Sequence, residues 1–270
     1  MIKSRAMTTD NFWGYIRAEA QKLSETEPLL ISLLDACILD ASNLSEGLAT
    51  LLSRKLADTT IDSEQYFDVI ISVFNKNPSI VAMAQADILA TLDRNPAATS
   101  ALIPFLFFKG IHTLQIHRIA HAFWTSNRQG LALHLQSRNS ELFGVDIHPA
   151  AKLGQGIMFD HATGIVIGET AVVGDDVSIL HNVTLGGTGN ETGDRHPKIG
   201  SGVLIGAGAK VLGNISVGDC ARIAAGSVVL QPVEAHVTVA GVPARVVAKA
   251  GSDKPAMVMD QTLPKDCIVI

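Results

Sequence analysis

Between residues 146 and 196 stand side chains suited to moving a proton and gripping a small charged substrate: Asp146, His148, Asp160, His161, His181, Arg195 and His196. An imidazole titrating near pH 6.5 accepts a proton at neutrality, and a carboxylate beside it fixes its tautomer and supports the imidazolium. A general base placed this way contributes about 10²–10⁴ in rate. His161 stands apart because it follows Asp160 directly and lies fifteen residues beyond Asp146. A guanidinium such as Arg195 can hold a carboxylate with two parallel hydrogen bonds. Two other readings use the same residues. In one, His161, His181 and His196 converge on a metal ion, and in the other each histidine is a hydrogen-bonded structural residue.

These side chains ride on a repeat of six. Aliphatic residues recur at Ile147 and Leu153, at Ile167, Val173, Ile179 and Leu185, and at Ile199, Ile205, Val211, Val217, Ile223 and Val229. Small residues such as Gly154, Gly168, Gly174, Gly200, Gly206 and Gly218 follow them. A period of six fits neither a helix nor an ordinary sheet. It fits a solenoid in which each hexad is a short strand plus a corner and three hexads close one triangular coil. Stacked coils build an aliphatic ladder, each buried Ile, Val or Leu contributing roughly 1.5–3 kcal/mol.

The phase slips twice, from Leu153 to Ile167 and from Leu185 to Ile199, each time by two hexads plus two residues. Insertions in a solenoid leave the coil as loops, and loops are the usual seat of function. The first slip carries Phe159-Asp160-His161-Ala162-Thr163-Gly164, the second Gly186 to Lys198. Since a full turn is eighteen residues, the first slip is expected to stack Asp146 nearly beneath His161.

Upstream of residue 145 the apolar spacing is helical. Leu29, Leu30, Leu33, Leu34, Ala36 and Cys37 form one stripe, and Tyr66, Val69, Ile70 and Val73 another. Ser42-Asn43 offers a cap before Leu48, while Asn77-Pro78 and Asn95-Pro96 mark boundaries. Further runs cover Phe107 to Trp124 and Leu131 to Phe143. The expected organisation is α+β: an α-helical domain over 1–140 with six to eight helices, a parallel β-helix over 141–249, and a flexible tail over 250–270. A formal charge of −5 without a dense basic cluster argues against nucleic-acid binding. No apolar run reaches the roughly 18 residues of a membrane span, and the N-terminus lacks a secretory apolar core, so a cytoplasmic protein is expected. Three widely spaced cysteines suggest neither disulfides nor a metal site.

Solenoids with this hexad are mostly acyltransferases using a long thioester cofactor. The runs Val145-Asp146-Ile147-His148-Pro149-Ala150-Ala151, Asp160-His161-Ala162-Thr163-Gly164, Val183-Thr184-Leu185-Gly186-Gly187-Thr188-Gly189, Gly193-Asp194-Arg195-His196-Pro197-Lys198 and Ala240-Gly241-Val242-Pro243-Ala244-Arg245 resemble bacterial serine O-acetyltransferases. The resemblance runs from about residue 10 to the end. It implies a left-handed parallel β-helix of hexapeptide repeats and acetyl transfer from acetyl-CoA to L-serine in cysteine biosynthesis, with no permanently bound cofactor and no metal. His161 matches the family's general base and Asp146 its paired carboxylate. Asp160, Arg195 and His196 match residues that hold the amino acid, and Glu169 matches a carboxylate near the site. Gly186, Gly187 and Thr188 match a turn beside the thioester, where an N–H can stabilise an oxyanion. Ala207 and Ala225 match small corner residues along the pantetheine arm, with Arg222 and Arg245 toward its phosphates. The resemblance also implies trimers that pair into hexamers, feedback inhibition by L-cysteine at the serine site, and docking of the C-terminal Ile270 into O-acetylserine sulfhydrylase (cysteine synthase). Asn95 departs from the pattern, since the family has Asp before this proline to contact the substrate ammonium; Ala224 replaces a usual Gly. Acyltransferases acting on homoserine or a sugar share the solenoid but do not need Arg195 and Asp160 together.

Overall fold

Hexad arithmetic becomes geometry in the computed structural model, which describes residues 11–189, 191–250 and 252–263. The chain divides between Phe108 and Lys109 into two compact units. The first holds α1 (Phe12–Thr26), α2 (Ile31–Leu34), α3 (Leu44–Leu56), α4 (Ser63–Lys76), α5 (Pro78–Arg94) and α6 (Leu102–Phe107). Local signals set their ends. Asn43 accepts the Glu46 N–H and Glu46 accepts the Ser42 N–H, while Asp62 and Gln65 form a reciprocal capping box. Pro78 opens α5 and Asn95-Pro96 closes it. The stripe expected over 29–37 is broken up. A 3₁₀ turn at Pro28–Leu30 and a π turn at Asp35–Leu39 flank α2, so Leu34 and Cys37 are buried while Leu29 faces solvent.

The second unit opens with α7 (Lys109–Thr125) and α8 (Gln129–Phe143) and continues as the solenoid. Composition changes near residue 145, but both of these helices belong with the coils. Sheet one stacks β1 (Asp146–Ile147), β4 (Val166–Ile167), β7 (Thr184–Gly186), β10 (Lys210–Leu212) and β13 (Val228–Val229). Sheet two stacks β2 (Lys152–Leu153), β5 (Val172–Val173), β8 (Lys198–Ile199) and β11 (Ser216–Val217). Sheet three stacks β3 (Met158–Asp160), β6 (Ser178–Leu180), β9 (Leu204–Ile205), β12 (Arg222–Ile223), β14 (Val237–Gly241) and β15 (Ala244–Lys249). All pairings are parallel except β14 with β15. The hexad aliphatics stack on one another, as in Ile147 on Ile167 on Leu185 on Val211 on Val229.

Register shows where the slips went. Phe159 is in phase at the middle of β3, so the first slip adds only two residues, all at the corner from sheet three to sheet one. There His161, Ala162 and Gly164 take φ of 57°, 62° and 75°. The second slip is a single long excursion between β7 and β8, at the corner from sheet one to sheet two.

Strand N–H groups point toward the next coil, as Lys152 to the Ala171 carbonyl and Gly154 to that of Val173. The strand carbonyls of the first coil therefore need donors from elsewhere. Helix α7 supplies them from one face. Arg118 donates to the Leu153 and Gly154 carbonyls at 3.3 and 2.8 Å, and His121 Nδ1 lies 2.7 Å from that of Pro149. His117 bonds Ala151, and burial, reinforced by His121 and Arg118, drives its pKa down to about 3. Leu114, on the same face, joins the solenoid core.

The tail expected to be flexible is, over its described part, fastened to sheet three. Helix α9 (Pro255–Val258) lies there, with the Ser178 hydroxyl donating to the Ala256 carbonyl at 2.9 Å. No helix among the described residues is long and apolar enough to cross a membrane.

Candidate active site

Chemistry-bearing residues gather at two different corners of the coil. The corner from sheet three to sheet one carries His161, directly after β3. Its backbone is left-handed, an uncommon state for a non-glycine residue and one that concentrates at functional sites. The ring is 75% exposed, and Nε2 lies 3.8 Å from Asp160 Oδ2. The His181 ring sits above it at 5.8 Å, edge to face. A ladder of backbone bonds runs up this corner, from the Thr163 carbonyl to Asn182 N–H, His181 to Gly208, and Ala207 to Gly226. His161, His181, Ala207 and Ala225 thus form one column, with small residues above the imidazoles.

The corner from sheet one to sheet two carries His148, the turn Gly168-Glu169-Thr170, and the long loop through Gly186, Gly187, Thr188, Arg195 and His196. Arg195 Nη2 donates to Glu169 Oε2 at 2.7 Å, and Nη1 donates to the Gly193 carbonyl at 3.0 Å. The hydrogen bond from Arg195 holds the Glu169 carboxyl below the ordinary carboxylate range. Gly187 lies against the strand of loop carrying the guanidinium, where an added Cβ would stand at ordinary contact distance, 3.4 Å from the Arg195 carbonyl oxygen. His196 is buried over Gly168, and its pKa is lowered first by burial and then by Arg195. His148 is lowered by burial, against the pull of Glu169 and Asp146. Lys198 Nζ ties the loop end down through Thr170 O, His196 O and Asp194 Oδ1, at 2.9, 2.7 and 2.6 Å. A cleft of about 330 Å³ opens here, lined by Ala150, Lys152, Glu169, Thr170, Asp194 and Lys198 among others.

Three expectations need correction. Asp146 and His161 are not stacked. Because the inserted residues sit at the corner, the residue over Asp146 is Val166, twenty positions on rather than fifteen. Asp146 points outward from sheet one, where its Oδ1 accepts a 2.7 Å bond from Gln136 of α8, and no hydrogen bond or ion pair joins it to His161 within the chain. Arg222, expected near phosphates, is buried on sheet three, where it donates to Thr238 Oγ1 and to the Asp260 carbonyl. That second bond pins the tail, which is the third correction. Arg245 remains exposed. Asn95 belongs to the first unit, where its Oδ1 accepts the Ala97 N–H at 2.9 Å as a turn residue does. Ile270 lies outside the described residues.

Sequence reasoning missed Gln136 and Thr170. A helix residue ten positions before a strand leaves no spacing signal. Thr170 had one, since Gly168-Glu169-Thr170 directly follows the hexad residue Ile167 at the corner where the long loop departs.

Residues 12–116 match the family described as "Serine acetyltransferase, N-terminal", and residues 196–231 the "Bacterial transferase hexapeptide (six repeats)". The serine acetyltransferase of Salmonella typhimurium is 54% identical over 249 residues, covering 92% of this chain and 91% of its own. Among solved structures, a serine acetyltransferase in complex with cysteine superposes with a TM-score of 0.93 at 51% identity, over 95% of this chain and 100% of that one. A coenzyme A complex from Brucella abortus gives 0.88 at 49%, over 90% and 97%. The soybean enzyme complexed with serine gives 0.86 at 51%, over 87% and 97%.

Proposed function

The chain belongs to the serine acetyltransferase family, and from that premise we propose how it carries acetyl from acetyl-CoA to the serine hydroxyl: His161 is the general base. Its imidazole takes the hydroxyl proton as the oxygen attacks the thioester carbonyl. The tetrahedral intermediate collapses, the carbon–sulfur bond breaks, and the thiolate of CoA takes the proton back from His161. Asp160, 3.8 Å from Nε2, and Asp146 are the carboxylates available to the imidazolium. Asp146 is held by Gln136 and makes no bond to His161 in the empty site, where catalytic hydrogen bonds are commonly incomplete. Arg195 holds the serine carboxylate, His196 assists it, and Asp160 takes the ammonium. Gly186 to Thr188 supply the turn facing the thioester oxygen, and Ala207 and Ala225 a smooth edge for the pantetheine arm, with the exposed Arg245 toward its phosphates.

The observation that carries the assembly is the split between corners. Residues 164–168 cross a whole face of the coil, roughly 15 Å at about 3.3 Å per residue. Serine spans only a few ångströms from carboxylate to hydroxyl. Corners this far apart favour a site completed between neighbouring copies, with His161 from one and Arg195 from the next. A ring of three coils around a common axis meets this requirement, and pairing of rings gives the hexamer.

L-Cysteine shares serine's carboxylate and ammonium and so competes for Arg195 and Asp160. We assign the cytoplasm as the compartment. Docking of the Ile270 end to cysteine synthase rests on the sequence resemblance; deleting Ile270 abolishes co-elution with that partner, and persistent co-elution removes the proposal. The reaction itself is tested by acetyl-CoA consumption with serine, homoserine and a sugar acceptor. Serine is the preferred acceptor, and His161→Ala lowers turnover by about 10²–10⁴. Near-normal turnover in that variant removes His161 as base.

A further inference from the structure

Behind Arg195 and His196 sits a side chain with no part in the chemistry described so far. Thr170 Oγ1 accepts the backbone N–H of Arg195 at 3.0 Å and that of His196 at 3.1 Å. The same oxygen lies 2.9 Å from His196 Nδ1. The Thr170 N–H donates to that Nδ1 at 3.1 Å, and the Thr170 carbonyl accepts Lys198 Nζ at 2.9 Å. One residue thus meets both backbone donors of the Arg195-His196 pair, one ring nitrogen, and the lysine that closes the loop.

The chemistry of these groups restricts the outcome. A backbone N–H only donates, so Nδ1 of His196 must present a lone pair. The ring proton then resides on Nε2, leaving a neutral imidazole with one donor. The hydroxyl oxygen has two lone pairs and receives two N–H groups, so its acceptor capacity is filled. Its proton has the choice of Nδ1 or the nearby Asp194 carboxylate, and neither choice disturbs the two bonds it accepts.

We propose that Thr170 is a positioning residue for the acceptor: its hydroxyl holds Arg195 and His196 in one fixed arrangement, and its N–H sets His196 as an Nε2–H donor. This rests on the serine acetyltransferase reading, in which Arg195 and His196 meet the amino acid. The bonds of Thr170 go to Arg195, His196 and Lys198, so it acts through them on acceptor affinity rather than on the chemical step.

The test uses the full-length protein. Thr170→Val keeps the shape and deletes the hydroxyl; it raises KM for serine about tenfold, with kcat within about threefold and KM for acetyl-CoA unchanged. Thr170→Ser, which keeps the hydroxyl, restores the serine KM. A wild-type serine KM in Thr170→Val overturns the proposal, as does a Thr170→Ser variant as impaired as Thr170→Val. The second measurement is ¹⁵N NMR of histidine-labelled wild-type protein, which reads the His196 tautomer directly. The proton is expected on Nε2, and a proton on Nδ1 overturns the proposal even if Thr170→Val does not fold. Should wild-type protein acetylate no serine, the functional reading fails, while the tautomer result still judges the seat.

Discussion

Replacing Gly168 with alanine tests the seat under His196 from below. The added Cβ would lie 2.0 Å from Nε2, 2.1 Å from Cδ2 and 2.8 Å from Cε1 of that ring. Comfortable contact is about 3.5 Å, so the ring must retreat by roughly 1.5 Å. It cannot do so freely, because Nδ1 is held by the Thr170 N–H and hydroxyl at 3.1 and 2.9 Å. Breaking those bonds costs about 0.5–1.5 kcal/mol each, and forcing an extra methyl into a packed site about 1–3 kcal/mol. The expected stability loss lowers Tm by roughly 3–10 °C. The functional loss is larger in proportion, since a displacement of about 1 Å in a positioned group costs about 100-fold. Initial rates at saturating acetyl-CoA, with serine varied, therefore give kcat/KM for serine down about 100-fold. The variant's KM for acetyl-CoA stays near that of the parent. A Gly168→Ala enzyme with parental kcat/KM for serine refutes the argument that His196 is held here for the acceptor.

Two further outcomes follow from the same geometry. Arg118→Met removes the charged donor from the Leu153 and Gly154 carbonyls at 3.3 and 2.8 Å, the longer bond counting for less. At about 1.5–3 kcal/mol for a hydrogen bond from a charged group, unfolding at matched protein concentration shows a loss of about 2–4 kcal/mol. An unchanged midpoint would show that α7 is not a necessary cap. Glu169 has a native pKa held below its ordinary value, chiefly by the Arg195 hydrogen bond. A depressed carboxylate stabilises the fold above its unfolded pKa of about 4.3, and that contribution disappears as pH falls through the native value. Carbon NMR of the Glu169 carboxyl should thus show a midpoint below the ordinary range, rising toward it in Arg195→Gln. A midpoint indifferent to Arg195 contradicts the pairing.

The coils were legible because burial and period coincide. Ile167, Ile179, Leu185, Ile205 and Val211 are buried and stack in the register their six-residue spacing implies. Helix ends were legible where a chemical signal marks them, as at Asn43, Asp62 and Pro78. The destination of inserted residues was not. Spacing counts residues but not the corner at which they leave, so Asp146 faced Val166 instead of His161. Nor does a charge in a sequence reveal what will cover it. Arg222 sits on the outer face of sheet three, and a segment nearly forty residues later buries it through the Asp260 carbonyl. Helix α7 hid its role for a related reason. His117, Arg118 and His121 look like a polar stripe until the bare carbonyls of the first coil are known to need donors. In the candidate site the residue types were readable and their division between two corners was not.

That division is most directly tested by mixing two inactive enzymes. His161→Ala lacks the base and Arg195→Ala lacks the carboxylate grip, and each alone has little turnover. If every site draws His161 from one copy and Arg195 from its neighbour, co-expression in equal amounts leaves about one quarter of the sites with both residues intact. Serine acetylation should then return to about a quarter of the parental rate in the mixed assemblies. Turnover no greater than that of the two variants assayed apart would mean that both residues serve the same site from one chain, and the account would be wrong.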